Sequence, residues 1–308
     1  MIKLRAIGQH LGTSKQDNIA LAAKFELDPE FIAHKIGVSE RAHMQDTDSV
    51  LSLCTAAFKH LAIDIPPESI DCCILVTQNP DRNIPHGAAE LQHALNLPTH
   101  CACFDLSLGC SGYVYGLSVI TGFMQTMGFN NGLLFTCDPY SRVVSKDDKN
   151  TALIFGDGAT VSWLSTSGSG WVAEGFDFGT DGSGADELCT QDGQLYMNGR
   201  AVFNFTASRV PRSIQALMTQ YNCSDADISR YYLHQGSRYI VDTITQRAKL
   251  DADKVVFGMQ HYGNTVSSSI PMLMGPELGQ FHANDRCIMS GFGVGLSWAS
   301  GLFKWETT

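Results

Sequence analysis

The sequence predicts an α/β protein with mixed, largely parallel sheets. Two observations carry that reading. Strand-like apolar runs alternate with segments of helical period along the 308 residues, and a stretch of the first half is echoed in the second. The strand candidates in the first half are KLRAIG (3–8), DCCILVT (71–77), THCACFDL (99–106), GLLFTCD (132–138) and TALIFG (151–156). The second half offers VSWL (161–164), WVAEGFDF (171–178), YYLHQ (231–235), KVVFGM (254–259) and CIMSGFG (287–293). Between them, Val50, Leu51, Cys54, Ala57, Phe58 and Leu61 recur at helical spacing within Asp48 to Leu61. Segments 85–96, 111–127, 203–221 and 236–249 repeat that pattern. The echo pairs TALIFGDGATVSWL (151–164) with CIMSGFGVGLSWAS (287–300). Each reads as an apolar strand, a Phe-Gly-x-Gly turn and a Ser-Trp strand. Taken literally, it divides the chain into two similar halves, 1–165 and 166–308, with the soft stretch 165–170 at the seam.

Bulk composition narrows the function classes. A hydrophobic content of 44% with 17% charged residues describes an ordinary soluble protein with a sizeable core. No apolar run reaches the ~20 residues of a membrane span, and the N-terminus is too short in apolar residues for a secretory signal. A cytoplasmic protein is expected, with no membrane partner. A net charge of −10 argues against nucleic-acid binding, which needs a surplus of Lys and Arg. Residues Arg200 to Lys254 carry a local +3, which reads either as solvated charge or as a modest basic face for an acidic ligand. None of the ten cysteines forms a CxxC pair, and the ten histidines are dispersed, so reduced thiols are expected and no metal site. The Gly-Asp-Gly-Ala-Thr stretch lacks the third glycine of a dinucleotide fingerprint and reads as a tight turn.

The chemically informative stretch is FDLSLGCSGYVYGL, Phe104 to Leu117. A structural cysteine would sit among branched aliphatics. Cys110 instead follows a strand, stands among Gly109, Ser111 and Gly112, and precedes the apolar stripe of a helix. Unpaired backbone N–H groups and the helix dipole would stabilise a thiolate there and lower its pKa. The same N–H groups could hold a substrate oxyanion, with the flanking glycines admitting the carbonyl. A thiolate nucleophile wants polar partners. His234 closes the YYLH strand, and Asn264 sits in a Gly-Asn turn. Each alone reads as a core or turn residue; together with Cys110, in strand-end turns, they form a candidate triad.

Five segments now point to a family: FDLSLGCSGYVYGL, IFGDGATVSWL, MNGRAVFNF (197–205), YYLHQGS, and the GNTVSSSIP to FGVGLSW tail. Over essentially its full length the chain resembles the β-ketoacyl-acyl-carrier-protein synthase III family of the thiolase superfamily. The resemblance implies a five-layer αβαβα thiolase-like fold built from two duplicated halves. It places the family's catalytic triad on Cys110, His234 and Asn264. It puts the backbone N–H groups of Cys110 and Val294 in an oxyanion hole, and Arg41, Ile84, Met197, Phe203 and Ser237 near the substrates. The implied chemistry is a decarboxylative Claisen condensation in fatty-acid or secondary-metabolite biosynthesis. Cys110 takes an acyl group from acyl-CoA; His234 and Asn264 polarise a malonyl thioester. No cofactor is implied beyond these substrates. The implied partners are acyl carrier protein and a second copy of the chain, as a homodimer.

The chain departs from the family's pattern in places. His234-Gln235-Gly236-Ser237 stands where His-Gln-Ala-Asn is usual, and Ile36-Gly37-Val38-Ser39-Glu40-Arg41-Ala42 keeps one arginine of two. Arg238-Tyr239 follows the His motif where the carrier-binding arginine is commonly found one place later. Other readings stay open: an acyltransferase of the same fold using an alcohol, amine or other carbon nucleophile, or a non-catalytic subunit of a hetero-oligomeric synthase. A cysteine hydrolase fits less well, because its His must act as base to water. A thiolase also fits poorly, since its second catalytic cysteine is replaced by Phe292.

Overall fold

A computed structural model describes the whole chain, Met1–Thr308. The first half runs β1 (Lys3–Leu11), α1 (Val50–Lys59), β2 (Cys72–Val76), α2 (Gly87–Ala94), β3 (Ala102–Leu106), α3 (Gly112–Met127), β4 (Asn131–Cys137) and β5 (Gly158–Ser165). The second runs β6 (Gly170–Thr180), α4 (Gly199–Gln220), β7 (Arg230–Leu233), α5 (Arg238–Ala248), α6 (Ser269–Met274), β8 (Arg286–Gly293) and β9 (Ser297–Glu306). The element order is thus repeated, except that the strand expected over 254–259 shrinks to a single bridge, Tyr231 to Val255.

The strands follow the order β7-β8-β9-β6-β1-β5-β4-β2-β3. At its middle the sheet is joined only through Leu4 opposite Trp171, so it behaves as two twisted sheets, one per half. It is mixed. Parallel pairing holds on the flanks, in β7–β8, β2–β3 and β2–β4, where helical crossovers return the chain in the same direction. The central pairings are antiparallel; β4–β5 and β8–β9 join consecutive strands without an α-helical crossover, while β1–β5 and β6–β9 bring the first strand of each half back against its last.

Burial supplies the layers. Helix α3 places Tyr113, Val114, Leu117, Ile120 and Met124 in the largest core cluster, with Ile270, Leu273 and Met274 of α6 and side chains from both sheets. Those two helices therefore form a middle layer. Helices α1 and α2 cover the far face of the first sheet and α4 and α5 that of the second, giving five layers. Each buried aliphatic of α3 contributes roughly 1.5–3 kcal/mol, so the middle layer is rigid under the loops it carries.

Some local expectations differ from the structure. Residues 151–156 are a turn, not a strand, because Thr151 and Ala152 bond back to the Asp148 carbonyl. The Ser-Trp strands of the echo do occupy matching places, as β5 and β9, but the segments before them do not. A hairpin over Leu188–Gln191 and Gln194–Met197 was not expected. Its Asp192-Gly193 turn has φ of 51° and 78° at the two central residues, the signature of a type I′ turn that an Asp-Gly pair announces.

Candidate active site

Cys110, His234 and Asn264 come from three separate loops and line one cavity of about 450 Å³. Cys110 lies between β3 and α3 and is 5% exposed. Its loop is held by close backbone approach. A Cβ on Gly293 (φ 156°) would fall 2.7 Å from the Cys110 sulfur, and one on Gly291 would fall 2.7 Å from the Cys110 carbonyl oxygen. Only glycine leaves room for the thiol at the first of these.

The Cys110 thiol is not the lowered thiol that its place before a helix suggested. Burial pushes it up to about 12, against the pull of the backbone N–H groups of Val294 and Cys110 itself. The buried Asp138 carboxylate adds to the rise. Desolvation outweighs the helix terminus here because Cys110 is buried in one apolar cluster with Phe155, Leu188, Val202 and Leu296. The two N–H groups nevertheless face that sulfur, where an acyl oxygen would be held.

His234 follows β7 and is 2% exposed; burial drives its pKa down to about 3, so the ring is neutral. Its Nδ1 lies 2.7 Å from the Ser269 hydroxyl, and its ring packs edge-on against Phe292. Asn264 Nδ2 lies 3.5 Å from His234 Nε2. The Asn264 carboxamide is aimed by its own oxygen, which accepts the Val266 N–H at 2.8 Å. Val266 adopts φ 54°, a conformation costing a β-branched residue ~1–3 kcal/mol. The turn is clamped from both sides, by Gly156 N–H to the Asn264 carbonyl and by Asn264 N–H to the Ile154 carbonyl. Behind the triad, Asp138 accepts from the Gln78 N–H at 2.6 Å and the Ser267 hydroxyl at 2.5 Å, tying the segments after β2 and β4 to the segment that follows Asn264.

Met197, Phe203 and Ser237 line the same cavity, and Ser237 also caps α5 by accepting the Ile240 N–H. Arg41 does not reach it. It is 5% exposed and bonds Asn18 Oδ1 at 2.6 Å and His43 at 2.9 Å, with Asp157 as its nearby counter-charge. Its strand, Glu40–His43, turns that side chain inward, so it supports the loop behind the cavity. The cation at the mouth is Lys35, on the helical turn just before Gly37, with Lys149 and Arg200 nearby. The Lys35 ammonium lies 3.7 Å over the Tyr239 ring, which stacks on Phe203 at 5.1 Å. Sequence reading missed these because no strand or turn signal tells which basic residue of a motif points outward. Ile84 lies outside the cavity and is 88% exposed.

Comparison with known proteins agrees with this arrangement. Residues 104–182 match the model of 3-oxoacyl-[acyl-carrier-protein (ACP)] synthase III, and residues 218–305 match that of its C-terminal part. The chain is 32% identical to β-ketoacyl-[acyl-carrier-protein] synthase III 1 of Bacillus cereus over 308 residues, 99% of each chain. A crystal structure of a 3-oxoacyl-(acyl-carrier-protein) synthase III superposes with a TM-score of 0.91 at 33% identity, covering 98% of this chain and 99% of that one. The Thermus thermophilus synthase III superposes at 0.90 with 26% identity, covering 99% and 100%. A likeness of this extent, carried through both halves and the loops between them, makes the chain a member of the β-ketoacyl-acyl-carrier-protein synthase III family.

Proposed function

We propose that this protein is a condensing enzyme that forms β-ketoacyl products in fatty-acid or polyketide biosynthesis, with Cys110 as the acyl acceptor. The observation that carries the reading is one cavity in which a thiol flanked by two backbone N–H groups meets a neutral imidazole and an aimed carboxamide. In the first half-reaction the Cys110 sulfur attacks the acyl-CoA carbonyl. The C–S bond to CoA breaks, and the CoA sulfur leaves with the proton that Cys110 gives up. The N–H groups of Cys110 and Val294 hold the oxyanion.

In the second, a malonyl thioester places its carbonyl oxygen on His234 and Asn264. The Ser269 hydroxyl can donate to Nδ1, which leaves the ring proton on Nε2, facing the cavity. Its carboxylate departs as CO₂ and the electron pair moves into the enolate, whose oxygen the two donors stabilise. The enolate carbon then attacks the acyl-Cys110 carbonyl, the C–S bond breaks, and the released Cys110 thiolate takes up one proton from solvent. A neutral ring suits the step because it donates a hydrogen bond without quenching the carbanion.

Lys35, Lys149 and Arg200 at the mouth fit the phosphates of coenzyme A or a phosphopantetheine arm. We assign a homodimer because β3 is an edge strand paired only with β2, and the loop bearing exposed Ile84 is fastened to it by Asp105. The seam between residues 165 and 166 divides the two halves in this reading. Ten cysteines, none in a disulfide, fit the reducing cytoplasm, and no helix is long and apolar enough to cross a membrane. No cofactor enters the scheme. The test is intact-mass detection of an acyl group on Cys110 after acyl-CoA exposure, followed by its loss with CO₂ release when malonyl thioester is added. Acyl transfer to an alcohol or amine without CO₂ release would replace condensation with simple acyl transfer.

A further inference from the structure

A second cavity of about 350 Å³ adjoins the first at Leu188 and the Gly293–Val294 peptide. Val294, whose N–H faces the Cys110 sulfur, forms part of its wall with Gly295. Tyr140, another wall residue, packs in the same apolar cluster as Cys110. An acyl group on the Cys110 sulfur, with its oxygen held by the Val294 N–H, has this cavity directly beside it.

The lining is mixed. Val143, Leu188 and Leu195 supply apolar surface, while Gln78, Asn79 and Tyr140 supply polar groups. Tyr140 is 4% exposed and gives its hydroxyl to Gln78 Oε1 at 3.1 Å, which fixes the Gln78 carboxamide. The Gln78 backbone N–H is held by Asp138. Gln78 lies beside the nucleophile's loop, since a Cβ on Gly109 would fall 2.4 Å from its Oε1. Its Nε2 donors have no protein partner, and neither does the Asn79 carboxamide, whose residue bonds only through its backbone. A plain alkyl chain in this cavity would leave the Gln78 donor, held in place by Tyr140, and the Asn79 carboxamide without a partner, at a cost in free energy.

With the acyl chain of the Cys110 acyl-enzyme lying in this cavity, we propose that Gln78 and Asn79 select acyl groups carrying an oxygen function near the thioester over plain alkyl groups of equal length. The inference rests on the reading of Cys110 as acyl acceptor. A hydroxyl or keto oxygen on the chain accepts from the Gln78 or Asn79 amide, while the carbon chain lies along Val143, Leu188 and Leu195. The Tyr140–Gln78 bond makes the donor preorganised.

The test is the rate of Cys110 acylation, read by quenched intact-mass spectrometry, with butyryl-CoA and with each enantiomer of 3-hydroxybutyryl-CoA. One neutral hydrogen bond predicts that the better hydroxyacyl enantiomer acylates roughly 3–10-fold faster. In Gln78→Leu the advantage falls to about one, through loss of rate on the hydroxyacyl substrate. Asn79→Leu is the second variant, should the first have a lowered melting temperature. A ratio of one or less in the native protein overturns the inference, as does an unchanged ratio in both folded variants. Acetyl-CoA serves as control. If it acylates Cys110 while the ratio is one, only the cavity assignment fails; if no CoA acylates Cys110, the reading of the site fails with it.

Discussion

Cysteines stand at the two ends of β3, a cluster around Cys103 at its start and Cys110 beyond its finish, and they divide reactivity from function. At the start of the strand, Cys103 lies opposite Cys73 on β2, and its sulfur is 3.8 Å from that of Cys101. Hydrogen bonds from those two thiols pull Cys103 well below the ordinary thiol range. At the other end, beyond Leu106, burial pushes Cys110 up to about 12. By ionisation alone the first site is the better nucleophile. Cys103 lines neither of the two cavities described above, and the His86 imidazole near it bonds the Cys103 carbonyl. Cys110 lines the first of them, with two backbone N–H groups at its sulfur and His234 and Asn264 in the same cavity. A catalyst is selected for stabilising the charge that develops on the acyl oxygen, not for the charge its sulfur carries at rest. Apolar surroundings that raise the thiol are the same ones that strengthen the two N–H donors.

The largest effect that can break this comparison is deletion of each sulfur. Cys110→Ala should abolish acyl-enzyme formation, a loss on the order of 10⁶-fold, while Cys103→Ala should leave the rate within about twofold. The reverse result would transfer the function to the wrong end of β3. Next, Asn264→Ala should retain acylation at Cys110 but lose malonyl decarboxylation by roughly 10²–10³-fold. Unchanged decarboxylation there would favour the acyltransferase reading.

The pH dependences sharpen the same contrast. Below its raised pKa the thiolate fraction of Cys110 grows tenfold per pH unit, so its alkylation by iodoacetamide should rise about 10-fold per unit between roughly pH 7 and 9. Cys103, shifted the opposite way by its neighbouring thiols, should show a shallower pH dependence over that range. Peptide mapping of the alkylated protein separates the two, and a plateau at Cys110 near neutral pH would show the burial argument to be wrong. His234 stays neutral down to about 3, so decarboxylation should show no inflection from that ring between about pH 5 and 7. Because its folded pKa lies below the unfolded ~6.5, its neutral burial costs stability as pH falls below that value, by up to ~1.4 kcal/mol per unit. Thermal melts in that range check the sign.

The smallest expected effect is at Ile84. If its loop closes the partner subunit's acyl cavity, Ile84→Phe should shift preference toward shorter acyl-CoAs by a few-fold per methylene, about 1 kcal/mol each. A changed dimer with an unchanged chain-length profile would confine Ile84 to packing the interface.

The sequence by itself determined much of the molecule. Alternation of short apolar runs with period-3.6 segments marked most of the strands and the five long helices, because those patterns follow from which side chains face the core. The cysteine among glycines was legible for the same local reason: a strand-to-helix turn that brings backbone close to a ligand needs residues without Cβ. What the tertiary structure decided is everything that depends on side chains distant in sequence. It chose Lys35 for the cavity mouth and turned Arg41 into the interior, since the direction of each depends on what packs against its backbone. It raised the Cys110 thiol against the local helix terminus, because desolvation is summed over Phe155, Leu188, Val202 and Leu296, up to 186 residues away. It also set the Gln78 carboxamide beside the nucleophile's loop, an arrangement fixed by Asp138 on its backbone and Tyr140 on its side chain. Local pattern specifies elements; the chemistry of a buried group is set by neighbours that only the packed layers bring to it.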